Sequence, residues 1–150
     1  MKYLAAPVVI RRGLTLIELL VVLVIVAILT SLAWPSYRDS VFRSRRSDAM
    51  QSLAKLSQAQ ERWRTNNPAY ASQLTDLNIS SGSANGYYTL SIPASSAGGY
   101  TIRATASSTG AQADDTRCQV FQLVVASGNL TYSSSNSGGA NSAPDPCWVK

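Results

Sequence analysis

Histidine is absent from the 150 residues, which removes the side chain most used as a general base and as a metal ligand. There is no phosphate-binding loop of the Gly-rich, Lys-Ser/Thr kind, so any ATP hydrolysis has to come from other proteins. Serine is abundant, yet none stands in a nucleophile-elbow pattern. The one acidic doublet, Asp114-Asp115, reads as a turn ahead of a strand, because adjacent strand residues point to opposite faces and Asp is common in turns. The sequence therefore offers no catalytic residues, no metal site and no cofactor site, and an enzyme is the class it fits least.

Positive charge is scarcer than its total implies. The net +5 comes from 13 cations and 8 anions, but Lys2, Arg11 and Arg12 precede the longest apolar run, and without residues 1–13 the balance is 10 against 8. That gives little support for nucleic-acid binding. Tyr87, Tyr88 and Tyr100 would suit a stacking platform for single-stranded nucleic acid. Aromatic residues alternating along strands are more often core or cross-strand pairs, and no basic stripe accompanies these. Arg38, Arg43, Arg45 and Arg46 do form a local cluster, read as a solvated helix face beside a membrane. Contact with anionic lipid or with acidic groups of a neighbouring subunit is the alternative.

What the chain has is one long apolar segment. Residues 14–34 contain only Thr15, Glu18, Thr30 and Ser31 as polar side chains. As a helix rising about 1.5 Å per residue they cover roughly 30 Å, the thickness of a bilayer core. That is too long for the apolar part of an ordinary signal peptide. A cut at the small residues near 31–33 would leave Trp34-Pro35 directly after it, a poor continuation. Cations flank both ends, so the positive-inside rule gives a near tie on orientation. If the helix directs export, Cys118 and Cys147 meet oxidising conditions and pair, closing a Ser/Gly/Asn-rich segment and contributing roughly 3–4 kcal/mol. If it does not, they are two free thiols.

The run Arg11-Arg12-Gly13-Leu14-Thr15-Leu16-Ile17-Glu18-Leu19-Leu20 resembles the class III signal of type IV prepilins: a short basic leader ending in Gly, an apolar first mature residue, then Glu at the fifth. The resemblance implies that a prepilin peptidase and N-methyltransferase cuts between Gly13 and Leu14 on the cytoplasmic side and methylates Leu14. The family most often has Phe where this chain has Leu14. A carboxylate near the end of a spanning helix costs several kcal/mol unless paired, solvated or protonated. The resemblance implies that Glu18 pairs with the freed Leu14 amine, on its own chain or a neighbour, and sets axial register during assembly. It also makes Pro35, with Tyr37 close by, a helix kink rather than a helix end.

Downstream, Phe42, Ala49, Leu53, Leu56 and Trp63 fall on one helical face at spacings of 7, 4, 3 and 7, opposite Arg45, Asp48, Lys55, Ser57, Glu61 and Arg64. Asn67-Pro68 predicts a stop, so the helix should run from Leu14 to about Asn66, roughly 80 Å. An irregular connection to Gly86 follows, anchored by Tyr70, Leu74 and Leu77. Strands are expected over residues 87–93, 100–106, 119–126 and 130–133, with Ser127-Gly128-Asn129 as a hairpin turn. The polar stretch after Tyr132 reads as too hydrophilic to pack and is expected to be pinned by Cys147 to Cys118.

The expected fold is thus α+β: a long kinked N-terminal helix packed on a roughly four-stranded antiparallel sheet with a disulfide-bounded C-terminal loop, as in type IV pilins. Residues 1–13 form the leader, 14–35 the transmembrane and filament-core half of the helix, and 36–150 the outer domain. The segment AQAQERW, the strand GYYTLSI, DDTRCQVFQLV and the terminal Pro-Cys-Trp look most like the PilE type of minor pilin. The resemblance implies an inner-membrane precursor with a cytoplasmic N-terminus that becomes part of an extracellular pilus. Its implied partners are other pilins, the peptidase, the assembly machinery and, before assembly, membrane lipid. A pseudopilin of a type II secretion system, a major pilin, and an anchored periplasmic binding domain are the alternatives.

Overall fold

The computed structural model describes residues 13–136, 139–140 and 145–148. Of the expected leader, residues 1–12 lie outside them. Helix α1 spans Leu16–Arg64 and contributes to two compact units, Met1–Arg38 and Asp39–Lys150. In the first unit Pro35 sits inside the helix, so it removes one hydrogen-bond donor without ending the element. At the far end the predicted stop is met within two residues. The Asn66 N–H and the Asn67 side-chain amide both donate to the Trp63 carbonyl, at 3.1 and 2.8 Å, which satisfies an orphan acceptor of the last turn.

In the second unit a sheet covers one stripe of α1. Strands β1 (Tyr88–Ser95), β2 (Gly99–Ala106), β3 (Val120–Ala126), β4 (Asn129–Asn136) and β5 (Gly139–Ala140) form an antiparallel meander in chain order. Ala49, Leu53 and Leu56 of α1 pack against Tyr88, Leu90, Tyr100, Ile102, Ala104, Phe121 and Leu123. These strand residues recur at every second position, as one-sided burial of a sheet requires. Burying Leu53 and Leu56 completely contributes about 1.5–3 kcal/mol each. Phe42 and Trp63, expected on the same stripe, are only half-buried.

Two local features fix the register. Ser127 and Gly128 both take positive φ, 50° and 80°, the backbone of a two-residue hairpin, so β4 begins at Asn129. Gly99 lies so close to β3 that a Cβ there would meet the Val125 carbonyl oxygen at 2.0 Å; only glycine fits. Pro93 falls at the register shift of β1, an edge strand, where its missing N–H breaks no ladder.

The sheet has five strands rather than four, and β4 continues to Asn136 instead of stopping at Ser133. The polar stretch enters the sheet because the ladder needs only backbone N–H and C=O groups, not apolar side chains. Ser134, read as too hydrophilic to pack, is buried and donates to Asp145 at 2.6 Å.

Candidate functional site

The N-terminal unit presents an apolar rod with a polar start. Thr15 accepts a hydrogen bond from the Glu18 N–H at 3.3 Å, and its carbonyl accepts from Leu19 at the same distance. Thr15 thus caps the helix, and Glu18 falls three residues later, in the first turn, where a carboxylate complements the helix dipole. From there to Leu32 every large apolar side chain is at least 48% exposed. The apolar window has a mean hydropathy of 2.9, and none of it is buried. The hydroxyls of Thr30 and Ser31 donate to the carbonyls of Val26 and Ile28, both at 2.7 Å, so neither needs water. Such a surface is stable only when lipid or other apolar helices cover it.

In the second unit the basic cluster divides. Arg43 is exposed and pairs with Asp39 one turn away at 3.2 Å, and Arg117 also bonds Asp39. Arg45 lies over the Tyr87 ring, 5.1 Å from its centroid. Arg46 is the departure from a solvated face: its side chain is 5% exposed and grips Asp115, itself 2% exposed, through two hydrogen bonds of 2.7 and 2.8 Å. Gln112 donates a third, at 2.8 Å. Asp48, expected on the solvent face, is buried as well and accepts from Ser83 at 2.5 Å and from the Asn85 side chain at 3.1 Å. Gln60 is fully buried and binds the Ala71 carbonyl and N–H, both at 2.9 Å, which ties the connection after the helix back onto it.

The segment carrying Asp115 also carries Cys118, which is bonded to Cys147 in the interior. The bridge holds Trp148 edge-on to Phe121 at 5.5 Å and against Tyr132 at 4.7 Å. Leu130 and Tyr132 are both exposed and, with Met50, Leu123 and Trp148, line an open apolar groove of about 690 Å³. Tyr88 and Tyr100 are core residues, 1% and 2% exposed, so they provide no stacking platform. Burial, then the Asp115 charge, raises the Tyr88 phenol well above its ordinary range. Burial pushes Tyr100 up to about 12, opposed by its bond to Ser57 and reinforced by Glu61. Among the described residues no cluster of side chains suits a metal ion.

Comparison with known proteins agrees with both halves of this architecture. Residues 10–34 match the prokaryotic N-terminal methylation motif. Residues 35–122, more than half of the chain, match the family described as type IV minor pilin ComP, DNA uptake sequence receptor. The chain belongs to the type IV minor pilin family. Over 140 residues the minor pilin is 29% identical to a fimbrial protein, EcpC, of Eikenella corrodens, covering 92% of this chain and 91% of that one. It is therefore a membrane-anchored precursor that becomes part of a pilus.

The residues singled out in the minor pilin's sequence fall into two groups. Gly13, Leu14 and Glu18 stand at the start of the apolar rod and Pro35 lies inside α1, whereas Cys118 and Cys147 are joined in the second unit. The sequence reading missed Arg46, Asp48, Gln60 and Asp115. A signal for two of them was present: Arg46, Ala49, Leu53, Leu56 and Gln60 follow one another at spacings of 3, 4, 3 and 4, a single helical stripe. Polarity excluded its two ends from the core, although a paired polar side chain can be buried.

Proposed function

We propose that this minor pilin is cut between Gly13 and Leu14 by a prepilin peptidase, methylated on the Leu14 amine, and drawn into the filament by its apolar helix. The observation that carries the reading is the methylation motif matched over residues 10–34, whose part from Leu16 onward lies on a helix with no internal cover for its side chains. Residues 14–35 leave the bilayer for a bundle of like helices, with Pro35 supplying the bend, and residues 36–150 face outward. Cleavage creates a cation at Leu14 four residues before Glu18. In a bundle of low dielectric the pairing of the two offsets the burial of each, and a misregistered subunit leaves both unpaired. The role is structural rather than catalytic, and the inner-membrane machinery supplies the energy. The N-terminus faces the cytoplasm, where the peptidase acts.

Intact mass and N-terminal sequencing of membrane and sheared-fibre fractions test this. In cells with the peptidase the chain should begin at Leu14, one methyl heavier, at low stoichiometry in fibres. Without the peptidase it should keep residues 1–13 and be missing from fibres. Glu18→Val should be cut normally yet stay in the membrane fraction. A start after Ala33, or a Glu18→Val chain as abundant in fibres as the parent, contradicts the proposal.

A second reading is favoured by the family description: DNA as the ligand of the outer unit, with the pilus serving DNA uptake alongside or instead of motility or adhesion. Between residues 39 and 150 the chain carries 9 cations and 7 anions, and the Arg46 charge is neutralised in the interior. Non-specific attraction to phosphates is correspondingly weak. Binding should depend on sequence and only shallowly on salt. Fluorescence anisotropy with duplexes of differing sequence over a salt series checks it. Equal binding to all duplexes with a steep salt slope, or none to any, removes this reading.

A further inference from the structure

The apolar rod of the first unit does not fade out gradually. Its last large residues before the charged part of the chain are aromatic: Trp34 is 59% and Tyr37 64% exposed. Three residues apart, they share one side of the helix, with ring centroids 6.4 Å apart and planes inclined at 38°. Each ring has an apolar body and one polar atom that needs a hydrogen-bonding partner. Arg38 follows Trp34 by one turn. A cation placed there can keep its charge in water while its stem lies along apolar surface.

The spacing to the other end matters as much. Eighteen residues separate Leu16 from Trp34, about 27 Å of helix axis, against a hydrocarbon core of roughly 30 Å. Between them the only polar groups are Glu18, in the first turn, and the two hydroxyls already satisfied by the helix backbone. Amphipathic rings at the end of a span of that length belong at a membrane–water interface.

We propose that Trp34 and Tyr37 form a collar that seats in the phospholipid headgroup layer on the side opposite Glu18 and fixes the depth of the precursor helix in the bilayer. The collar rests on reading residues 14–35 as the inserted half of α1. With Trp34 held at one interface, the bond between Gly13 and Leu14 reaches the other, and Glu18 stays within range of water there. The rings thus set how far the substrate of the peptidase protrudes. They also keep the apolar rod from sliding, which would draw either the Glu18 carboxylate or the Arg38 guanidinium into hydrocarbon.

The test uses the full-length uncut chain in vesicles of phosphatidylglycerol and phosphatidylcholine, the latter brominated either near the glycerol end of the acyl chains or near their tips. The Trp34 signal is the emission difference between the parent and Trp34→Phe, which removes the contribution of Trp63 and Trp148. A larger fractional loss of that emission with bromine near the glycerol, weakened in Tyr37→Ala, is the expected result. A larger loss with bromine at the chain tips overturns the collar while leaving membrane insertion intact. No loss with either lipid means that the helix is outside the bilayer, and overturns insertion and collar together. An unchanged profile in Tyr37→Ala removes Tyr37 from the collar and overturns the pair.

Discussion

Asp115→Ala is expected to lower the stability of the second unit by about 3–5 kcal/mol, because it leaves the Arg46 guanidinium buried without a counter-charge. Asp115 accepts both Arg46 bonds and one from Gln112, and three donors lose their acceptor at once. Against a typical domain stability of about 5–15 kcal/mol, such a loss populates the unfolded form noticeably. Urea unfolding of the full chain in detergent, followed by tryptophan emission, measures it. The double variant Arg46→Met/Asp115→Leu should recover much of the loss, since two apolar side chains of similar size need no counter-charge. A loss below about 1 kcal/mol in Asp115→Ala, the value of an exposed ion pair, would show that the pair is solvated in solution.

Removing the disulfide should have the next largest effect. Cys118 and Cys147 are 29 residues apart in sequence, and a bridge closing such a loop stabilises by about 3–4 kcal/mol on the chain-entropy account. Cys118→Ser/Cys147→Ser, or reduction of the parent, should lower the unfolding free energy by that amount. The hairpin of β3 and β4 is paired over its whole length and keeps its register without the bridge. The contact that depends on the bridge is the one made by Trp148, the neighbour of Cys147, with Phe121 and Tyr132. Its emission should therefore shift to longer wavelength in the variant before urea is added. An unshifted spectrum with an unchanged midpoint would mean that packing alone holds residues 145–148.

Much of this architecture is legible in the chain. The apolar run, the methylation-motif residues around Gly13, Leu14 and Glu18, the two-residue periodicity of the strands and the Ser-Gly turn each rest on interactions among near neighbours. Helix ends were found to within two residues because Asn67-Pro68 stops a helix locally. Less legible was any residue whose environment depends on a distant partner. Arg46 and Asp115 are 69 positions apart; read singly, each is a surface charge, and only together are they an interior pair. Asp48 was placed on the solvent face for the same reason, because Ser83 and Asn85, which bind it, lie 35 and 37 residues away.

The β4 extension shows the complementary case. Ser134, Ser135 and Asn136 have no apolar pattern, but β3 offers a free row of backbone donors and acceptors beside this end of β4, and pairing extends to the Val120–Ser135 rung. By itself the sequence determined that this protein is a helix with a long apolar first half followed by an α+β domain, since hydrophobic length and alternation act residue by residue. Tertiary structure alone decided which charges are buried, how the loop before Cys118 is clamped to α1, and where the polar tail joins the sheet. Those outcomes rest on whether a partner far away in the chain satisfies a polar group, and the sign of a polar residue's burial energy turns on that partner.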